Sequence, residues 1–332
     1  MDLSKAQSTA FEKARARGSG GQGITLPDDS VRALVALVAR DLNLPSIEGI
    51  DPLDDVEYYD IAVDELTTTG EASALSAYCS LLRVGPVDTD TYFLSLAALH
   101  RARLKFANIM RSQASPTLEQ VGPRGLLQYG SLSTGALGSL LIVRKWFYDV
   151  DNRSAQETGY LFEPVIAGAV GGVVVPAKSS PVKREGTGSG RQIDCLRGTT
   201  AYEVKVRVTI ASSGKGRWQE ELSFPADCEA SGYVPVLVVF DGTDDPKLSE
   251  LKDEFTNHGG QAHVGQDAWA HLKSEAGPTM STFLEKYIHG PLTDLLNHTP
   301  TERDFPRVSV LLRPDRVEFS VGKTTKRVDR NG

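Results

Sequence analysis

Residues 193–205 read I-D-C-L-R-G-T-T-A-Y-E-V-K, two short apolar segments on either side of a tight turn at residues 197–198. The second segment continues as A-Y-E-V-K-V-R-V-T-I over residues 201–210, where apolar and polar side chains alternate. Alternation with a period of two indicates a β-strand with one buried face. The stretch therefore predicts two adjacent antiparallel strands that bring Asp194 and Glu203 together on one side.

Lys205 lies two residues after Glu203, so both side chains point to the same face of the predicted strand. We expect the opposite face to pack on a core, because it carries Tyr202, Val204, Val206 and Val208. A face with acids and a lysine is also typical of a solvated strand, and a D-x8-E-x-K match arises roughly once by chance in such a chain. The apolar strands, with a helix and a buried strand after them, favour a functional interpretation.

Two carboxylates and a backbone carbonyl form a set of hard oxygen ligands, which suits Mg²⁺ with several retained waters. We therefore expect Asp194, Glu203 and the carbonyl of Val204 to bind Mg²⁺, which would neutralise a phosphate oxygen and acidify a bound water. Lys205 could position or deprotonate the attacking water and stabilise developing charge. Glu163, on the preceding helix, is a candidate third acid. The pattern predicts in-line hydrolysis of a phosphodiester.

The sequence around these acids is basic, although the whole chain of 332 residues has a formal net charge of -7. Residues 176–217 contain nine bases and three acids, a local charge of +6. Such a surface attracts phosphates of any sequence, although a basic loop is often only solvated. The candidate DNA-binding residues are Lys178, Lys183, Arg184, Arg191, Lys215, Arg217 and Gln219. The last three begin a predicted helix, from which they could contact phosphates or base edges.

Periodicity divides the chain into three regions. Residues 1–23 end in G-S-G-G-Q-G and predict a flexible segment without the apolar core of a signal peptide. Residues 24–150 predict a helical region, and residues 151–332 a catalytic region. Helices are expected from residue 28 and over 72–82, 89–113, 136–147, 160–169, 217–231, 265–274 and 281–296. Strands are expected over 173–175, 192–196, 201–210 and 233–240, with a hairpin over 308–312 and 316–321.

The acids, cysteines and histidines outside the strand pair bear on whether the chain has other metal, thiol or zinc sites. Seven acids and no base lie in residues 51–65, which predicts the surface of a helical domain. One of Glu220 and Glu221 could complete a second metal shell. The widely spaced Cys79, Cys195 and Cys228 favour reduced thiols in the cytoplasm, and Cys195 is expected to be an inert buried thiol. The spacing of His258, His263 and His271 fits no zinc pattern, and no apolar run is long enough to span a membrane.

Residues 193–205 resemble the active-site signature of the PD-(D/E)XK nuclease superfamily. Asp194 corresponds to its first acid, Glu203 to its second and Lys205 to its lysine, while Ile193 stands in place of the proline. The order of elements in residues 160–240 resembles the superfamily core, in which Glu163 corresponds to a frequent helix acid. The resemblance implies an α/β (α+β) fold with a mixed central sheet flanked by helices, here preceded by a large helical part.

Length, helical part and core together resemble a type II restriction endonuclease, and residues 214–228 (G-K-G-R-W-Q-E-E-L-S-F-P-A-D-C) are similar to the ApaLI-type group. This implies Mg²⁺-dependent cleavage of double-stranded DNA at a short palindrome, GTGCAC for that group. A palindrome is read most simply by a homodimer, and a cognate DNA methyltransferase would be the functional partner. The alternatives are another nuclease with this core, acting in repair or transposition, and a non-catalytic DNA-binding module.

Overall fold

The computed structural model describes residues 3–17, 23–53, 57–206, 214–243, 245–297 and 307–330. A mixed five-stranded sheet carries the two acids. Its strands are β3 (Val173–Val175), β4 (Ile193–Arg197), β5 (Thr200–Lys205), β6 (Val234–Val239) and β7 (Gln261–Val264), side by side in that order. The first three are antiparallel neighbours, whereas β5, β6 and β7 are parallel. The predicted mixed sheet flanked by helices is confirmed.

Helices precede and follow this sheet. Before it come α1 (Lys5–Arg15), α2 (Asp28–Asp41), α3 (Ala74–Val84), α4 (Thr89–Ser112), α5 (Leu118–Val121) and α6 (Thr134–Ala169), with the short strands β1 (Ala16–Arg17) and β2 (Ile24–Thr25) after α1. Between and after its strands come α7 (Gly214–Ala230), α8 (Pro246–Asn257), α9 (Gln266–Glu275), α10 (Pro278–Leu284) and α11 (Gly290–Asn297). A second sheet contains β8 (Val308–Leu312), β9 (Arg316–Val321) and β10 (Thr324–Asp329).

The two faces of the five-stranded sheet pack on different cores. Val236 and Val238 of β6 join the large core that includes the N-terminal helices. Leu237 and Val239, which point to the other face, pack with residues of α7 and α8. Burying one such side chain contributes roughly 1.5–3 kcal/mol. The predicted buried strand is confirmed. It is covered on both faces, so the sheet lies between two layers of helices.

Helix α6 joins two helices that the sequence predicted separately, over 136–147 and 160–169. It continues through residue 150 without a break and contains Pro164 in its interior. Both of its halves are anchored, because Trp146 packs against the C-terminal sheet and Ile166 packs in the large core. The burial of these two side chains stabilises the helix across the polar residues between them. Those polar residues show no apolar periodicity, so the sequence did not predict a helix there.

Two segments differ from the sequence-based expectation. Residues 5–15, within the stretch expected to be flexible, form a helix with a Ser4–Gln7 capping box. Phe11 of this helix is fully buried and stacks on Tyr78 with ring centroids 4.9 Å apart. The described part of the acidic segment 51–65 consists of turns and irregular chain. It is held down by its apolar residues, since Tyr58 is 3% exposed.

The C-terminal hairpin is confirmed, and β10 adds a third strand to it that the sequence did not reveal. Val317 of β9 packs with Ile109, Trp146 and Val150, which attaches this sheet to α4 and α6. Helix α8 and strand β7 were also not anticipated. Within the described residues, no helix combines the length and apolar character needed to cross a membrane.

Candidate active site

Asp194 and Glu203 lie on neighbouring antiparallel strands at one end of the sheet. Cys195 pairs with Tyr202 in the register of β4 and β5, which puts the two acids next to each other one step further along. Asp194 is only 8% exposed, and its carboxylate accepts a hydrogen bond from the backbone N–H of Val204 at 3.0 Å. A main-chain donor on β5 therefore fixes the carboxylate of β4.

Lys205 connects this strand pair to α7. Its Nζ lies 3.1 Å from Oε1 of Glu203 and 3.3 Å from Oε2 of Glu221. Burial by itself would lower the pKa of Lys205, but the two carboxylates outweigh it and hold the pKa above its usual value. The lysine is thus a charged group between two acids. Glu221 is the member of the Glu220–Glu221 pair that contacts Lys205.

Negative charge is crowded at this end of the sheet. Burial, followed by the charge of Glu203, raises the pKa of Asp194 well above its usual value. The same two causes raise the pKa of Glu163, which is half-buried on α6. Raised carboxylate pKa values indicate that Lys205 does not fully compensate these charges, and a bound cation would relieve the repulsion.

The donor set fits a hard divalent cation. Among the described residues, no three or more His, Cys, Asp or Glu side chains form a group that could hold a metal ion by themselves. Mg²⁺ does not require such a group, because it is usually bound through one or two carboxylates and keeps several waters. Asp194 and Glu203 supply the two carboxylates, so the residues present fit Mg²⁺ better than a metal held entirely by protein.

A cleft of about 250 Å³ opens at these residues, between the sheet and α7. Its lining combines the acids with basic and apolar side chains of the neighbouring elements: Arg184, Arg191, Gln192, Asp194, Glu203, Lys205, Glu220, Glu221 and Phe224. Glu220 lies on the exposed side, with Oε1 3.5 Å from the Arg184 guanidinium. Glu163 does not line this cleft, and its charge contributes to the raised pKa of Asp194.

The basic segment before β4 is folded back on itself. The N–H of Arg184 donates to the carbonyl of Ser189 at 2.8 Å, and the N–H of Arg191 donates to the carbonyl of Val182 at 2.9 Å. Arg191 is buried, and its guanidinium donates to Asp227 and to Ser223, both at 2.6 Å. Arg191 therefore anchors the segment to α7 instead of facing solvent.

The other candidate DNA-binding residues are distributed around this segment. Lys178 and Lys183 are exposed, although Nζ of Lys183 donates to the carbonyl of Ser180 at 2.7 Å. Gln219 is exposed on α7. The side chains of Lys215 and Arg217 lie outside the described part of the structure. The exposed Lys178 and Lys183 thus belong to the same segment as Arg184 and Arg191, which line the cleft.

The remaining reactive residues do not enter the site. Cys195 is fully buried, and burial raises the pKa of its thiol to about 12, as expected for an inert thiol. His263 stacks on His271 with ring centroids 3.9 Å apart, and its Nδ1 lies 2.7 Å from a carboxylate oxygen of Asp267. The histidines are therefore engaged with their neighbours on β7 and α9.

Residues 74–289 match the family model of ApaLI-like restriction endonucleases. The chain belongs to this family. The matched range contains the two acids, Lys205 and α7, whereas α1, α2 and the C-terminal sheet lie outside it.

A curated relative is similar over much of its length. The chain is 47% identical over 249 residues to the type II restriction enzyme ApaLI of Acetobacter pasteurianus. The aligned part covers 72% of this chain and 66% of that enzyme. No solved structure matches the chain.

Proposed function

We propose that this protein is a type II restriction endonuclease that hydrolyses phosphodiester bonds of double-stranded DNA at a short palindrome. The observation that carries the proposal is that Asp194, Glu203 and Lys205 line one cleft of a chain that belongs to a restriction endonuclease family. The sheet and its acids support a PD-(D/E)XK core, with catalysis assigned to the region after residue 150. GTGCAC, implied by the resemblance to the ApaLI-type group, is the proposed target.

Asp194, Glu203 and the carbonyl of Val204 would hold Mg²⁺. The N–H of Val204 points to Asp194, and the N–H and C=O of a strand residue point to the same side. The carbonyl is therefore on the side of the acids. Bound Mg²⁺ supplies neutralisation of a phosphate oxygen and acidification of a water.

Lys205 would stabilise the negative charge that develops on the phosphate. Its contacts with Glu203 and Glu221 keep the ammonium charged and hold it near the metal ligands. This favours positioning and charge stabilisation by Lys205 over removal of a proton from water. Glu163 would act through its field or through a water.

The exposed Lys178, Lys183 and Gln219 support a DNA-binding surface beside the cleft, to which we assign Arg184, Lys215 and Arg217 as well. A palindromic target further implies a homodimer, in which each protomer cuts one strand. A methyltransferase of the same specificity would protect the host DNA. The proposal therefore includes two partners, a second copy of the chain and the methyltransferase.

The test is substitution of the metal ligands. Asp194→Asn and Glu203→Gln remove ligand charge at nearly constant shape, so cleavage of GTGCAC-containing DNA is expected to fall by at least about 10³-fold. Affinity for the same duplex, measured by gel shift, should stay within a few-fold. Asp253→Asn, an exposed acid on α8, is the matched control and should cleave normally. Cleavage by Asp194→Asn at the normal rate would refute the assignment.

Digestion of a defined phage DNA separates the alternatives. Discrete bands that require Mg²⁺ and disappear with chelator are expected. Sequence-independent degradation or cleavage only at DNA lesions would favour a repair nuclease. DNA binding without cleavage under any divalent metal would favour a binding module.

A further inference from the structure

Exposed apolar side chains concentrate before the start of α6. They are Leu118, Leu126, Leu127, Tyr129 and Leu132, on α5, the 3-10 turn Gly122–Gln128 and the following loop, and they are between 42% and 98% exposed. We call this surface the helical tip. Scattered apolar residues are ordinary on protein surfaces, but a contiguous group of this kind indicates a binding surface.

The helical tip is also basic. Arg124 lies within it, and Arg144 of α6 lines the same small pocket as Arg124, whereas the neighbouring Lys145 is paired with Asp149. Arg124 and Arg144 are exposed, and within the described chain neither guanidinium has an ion-pair or hydrogen-bond partner. Interfaces between proteins are enriched in arginine, tyrosine and other aromatic residues and depleted of acids and lysine. The tip therefore has the composition of a protein interface with two unused positive charges.

A second surface has the complementary composition. A cleft of about 600 Å³ is lined by Tyr58, Tyr59, Tyr287 and Leu295, together with the acids Glu57 and Asp60. Its lining also contains the acids Glu285 and Asp294 and two cations, Arg40 and Lys286, which both pair with Asp41. We call it the aromatic cleft. Leu295 is 68% exposed, and Tyr59 is 42% exposed. The side chains of Glu57 and Asp60 are exposed and have no cationic partner among the residues that the structure describes.

The two surfaces lie apart in one chain. Tyr58 of the aromatic cleft contacts His100 and Arg103 in the middle of α4. The helical tip follows the end of α4 at Ser112. The tip is also remote from the reaction site, because Glu163 lies 29 residues after the start of α6, or about 44 Å along the helix. Neither surface belongs to the catalytic cleft.

We propose that the helical tip of one protomer packs into the aromatic cleft of a second copy of this chain, and the reverse. Arg124 and Arg144 would face Glu57 and Asp60 of the partner, while the leucines fill the space beside the tyrosines. The second copy is the occupant that the charges favour, because two unpaired cations on the tip meet two unpaired acids at the cleft. A two-fold axis repeats the contact, so each dimer contains it twice.

The inference names the surfaces of the homodimer in the proposed function, but its test needs neither DNA nor cleavage. Light scattering measures the mass of the full chain in metal-free buffer, where the wild type is expected to be a dimer. Arg124→Glu with Arg144→Glu places like charges together and should weaken the dimer by about 100-fold. Glu57→Arg with Asp60→Arg should do the same, and the four substitutions combined should restore the dimer. Arg83→Glu, exposed on α3, is the matched control.

Leu127→Asp gives an independent check of the apolar contact. Leu127 is 98% exposed in one chain, so the variant should keep its melting temperature at low concentration and lose the dimer. A wild-type mass equal to one chain of 35.9 kDa would overturn the proposal, and so would charge-reversed variants that fail to restore each other. Reduced DNA affinity of the tip variants at unchanged mass would assign the arginines to DNA and also overturn it. A monomer that cleaves DNA would refute this interface and leave the proposed function standing. A dimer that does not cleave DNA would refute the proposed function and leave the interface standing.

Discussion

Asp227 shows how a single buried carboxylate arranges the surroundings of the site. It accepts hydrogen bonds from the guanidinium of Arg191 and from the N–H of Glu185 at 2.9 Å. Breaking a buried pair of this kind costs about 3–5 kcal/mol, because one charge is left without compensation. From charge alone Arg191 could not be distinguished from Lys178, since the partner of Arg191 is 36 residues further along the chain.

His100 gives the residue-scale prediction. Its ring is fully buried, and burial lowers its pKa to about 4. Between pH 6.5 and pH 4 the unfolded chain therefore binds a proton that the folded chain does not, so stability falls as the pH falls. The loss between pH 7 and pH 5 is expected to be about 2 kcal/mol. His100→Gln should remove that part of the pH dependence in denaturant unfolding.

Other groups titrate in the same range, so the comparison between His100→Gln and the wild type carries the result. His258 is the matched control, because its Nδ1 lies on the surface, 2.6 Å from a carboxylate oxygen of Glu229. His258→Gln should leave the low-pH loss largely in place. Equal pH profiles for His100→Gln and the wild type would show that His100 does not contribute.

Among the elements, local patterns predicted those whose own residues carry the signal. The periodicity of α2 and α4, the alternation of β5 and the continuous apolar run of β6 each indicated the observed element. Strand β10 reads T-T-K-R-V-D and has mostly exposed side chains, so its sequence shows little of its pairing with β9. Elements specified by a distant partner are not visible in local sequence.

The candidate site also has features that local sequence predicts and features that depend on a distant element. The neighbouring positions of Asp194 and Glu203 follow from the tight turn between two strands, and local spacing was sufficient to predict them. The contact between Lys205 and Glu221 depends on how α7 packs on the sheet. Sequence left the choice between Glu220 and Glu221 open for that reason.

Trp146 gives the element-scale prediction, because it joins α6 to the C-terminal sheet. It is fully buried, and its indole N–H donates to the carbonyl of Gln113 at 3.2 Å. Trp146→Ala is expected to lower the free energy of unfolding by about 3–5 kcal/mol. Hydrogen exchange should show the largest loss of protection in β8–β10.

Tyr148, two residues further along α6, is 59% exposed and is the matched control. Tyr148→Ala should change stability by no more than about 0.5 kcal/mol. If both substitutions cost the same, or if exchange in β8–β10 did not change, the sheet would be held by contacts other than Trp146.

On the scale of the whole molecule, the charge is unevenly distributed. The chain has a net charge of -7, while residues 176–217 have nine bases and three acids. Repulsion from the acidic remainder should weaken contacts with random DNA, whereas the basic segment is expected to attract a duplex to the proposed site. The net charge alone would have argued against DNA as a partner.

The salt dependence of non-specific DNA binding tests this distribution. Each lysine that contacts a phosphate adds about one to the slope of log affinity against log salt. Lys178→Ala and Lys183→Ala are therefore each expected to reduce the slope by about one. Arg191→Met should leave the slope unchanged and reduce stability, because Arg191 is bound to Asp227. A reduced slope for Arg191→Met with unchanged stability would contradict this division of roles.

The unbroken course of α6 has a consequence for how such a chain can evolve. One helix carries Trp146 towards its first half and Glu163 near its other end. Recombination within this helix would join two halves whose buried faces must still match both the C-terminal sheet and the large core. The parts of the protein that α6 connects are therefore expected to be inherited together. New specificities are expected to arise by substitution within one lineage instead of by exchange of modules.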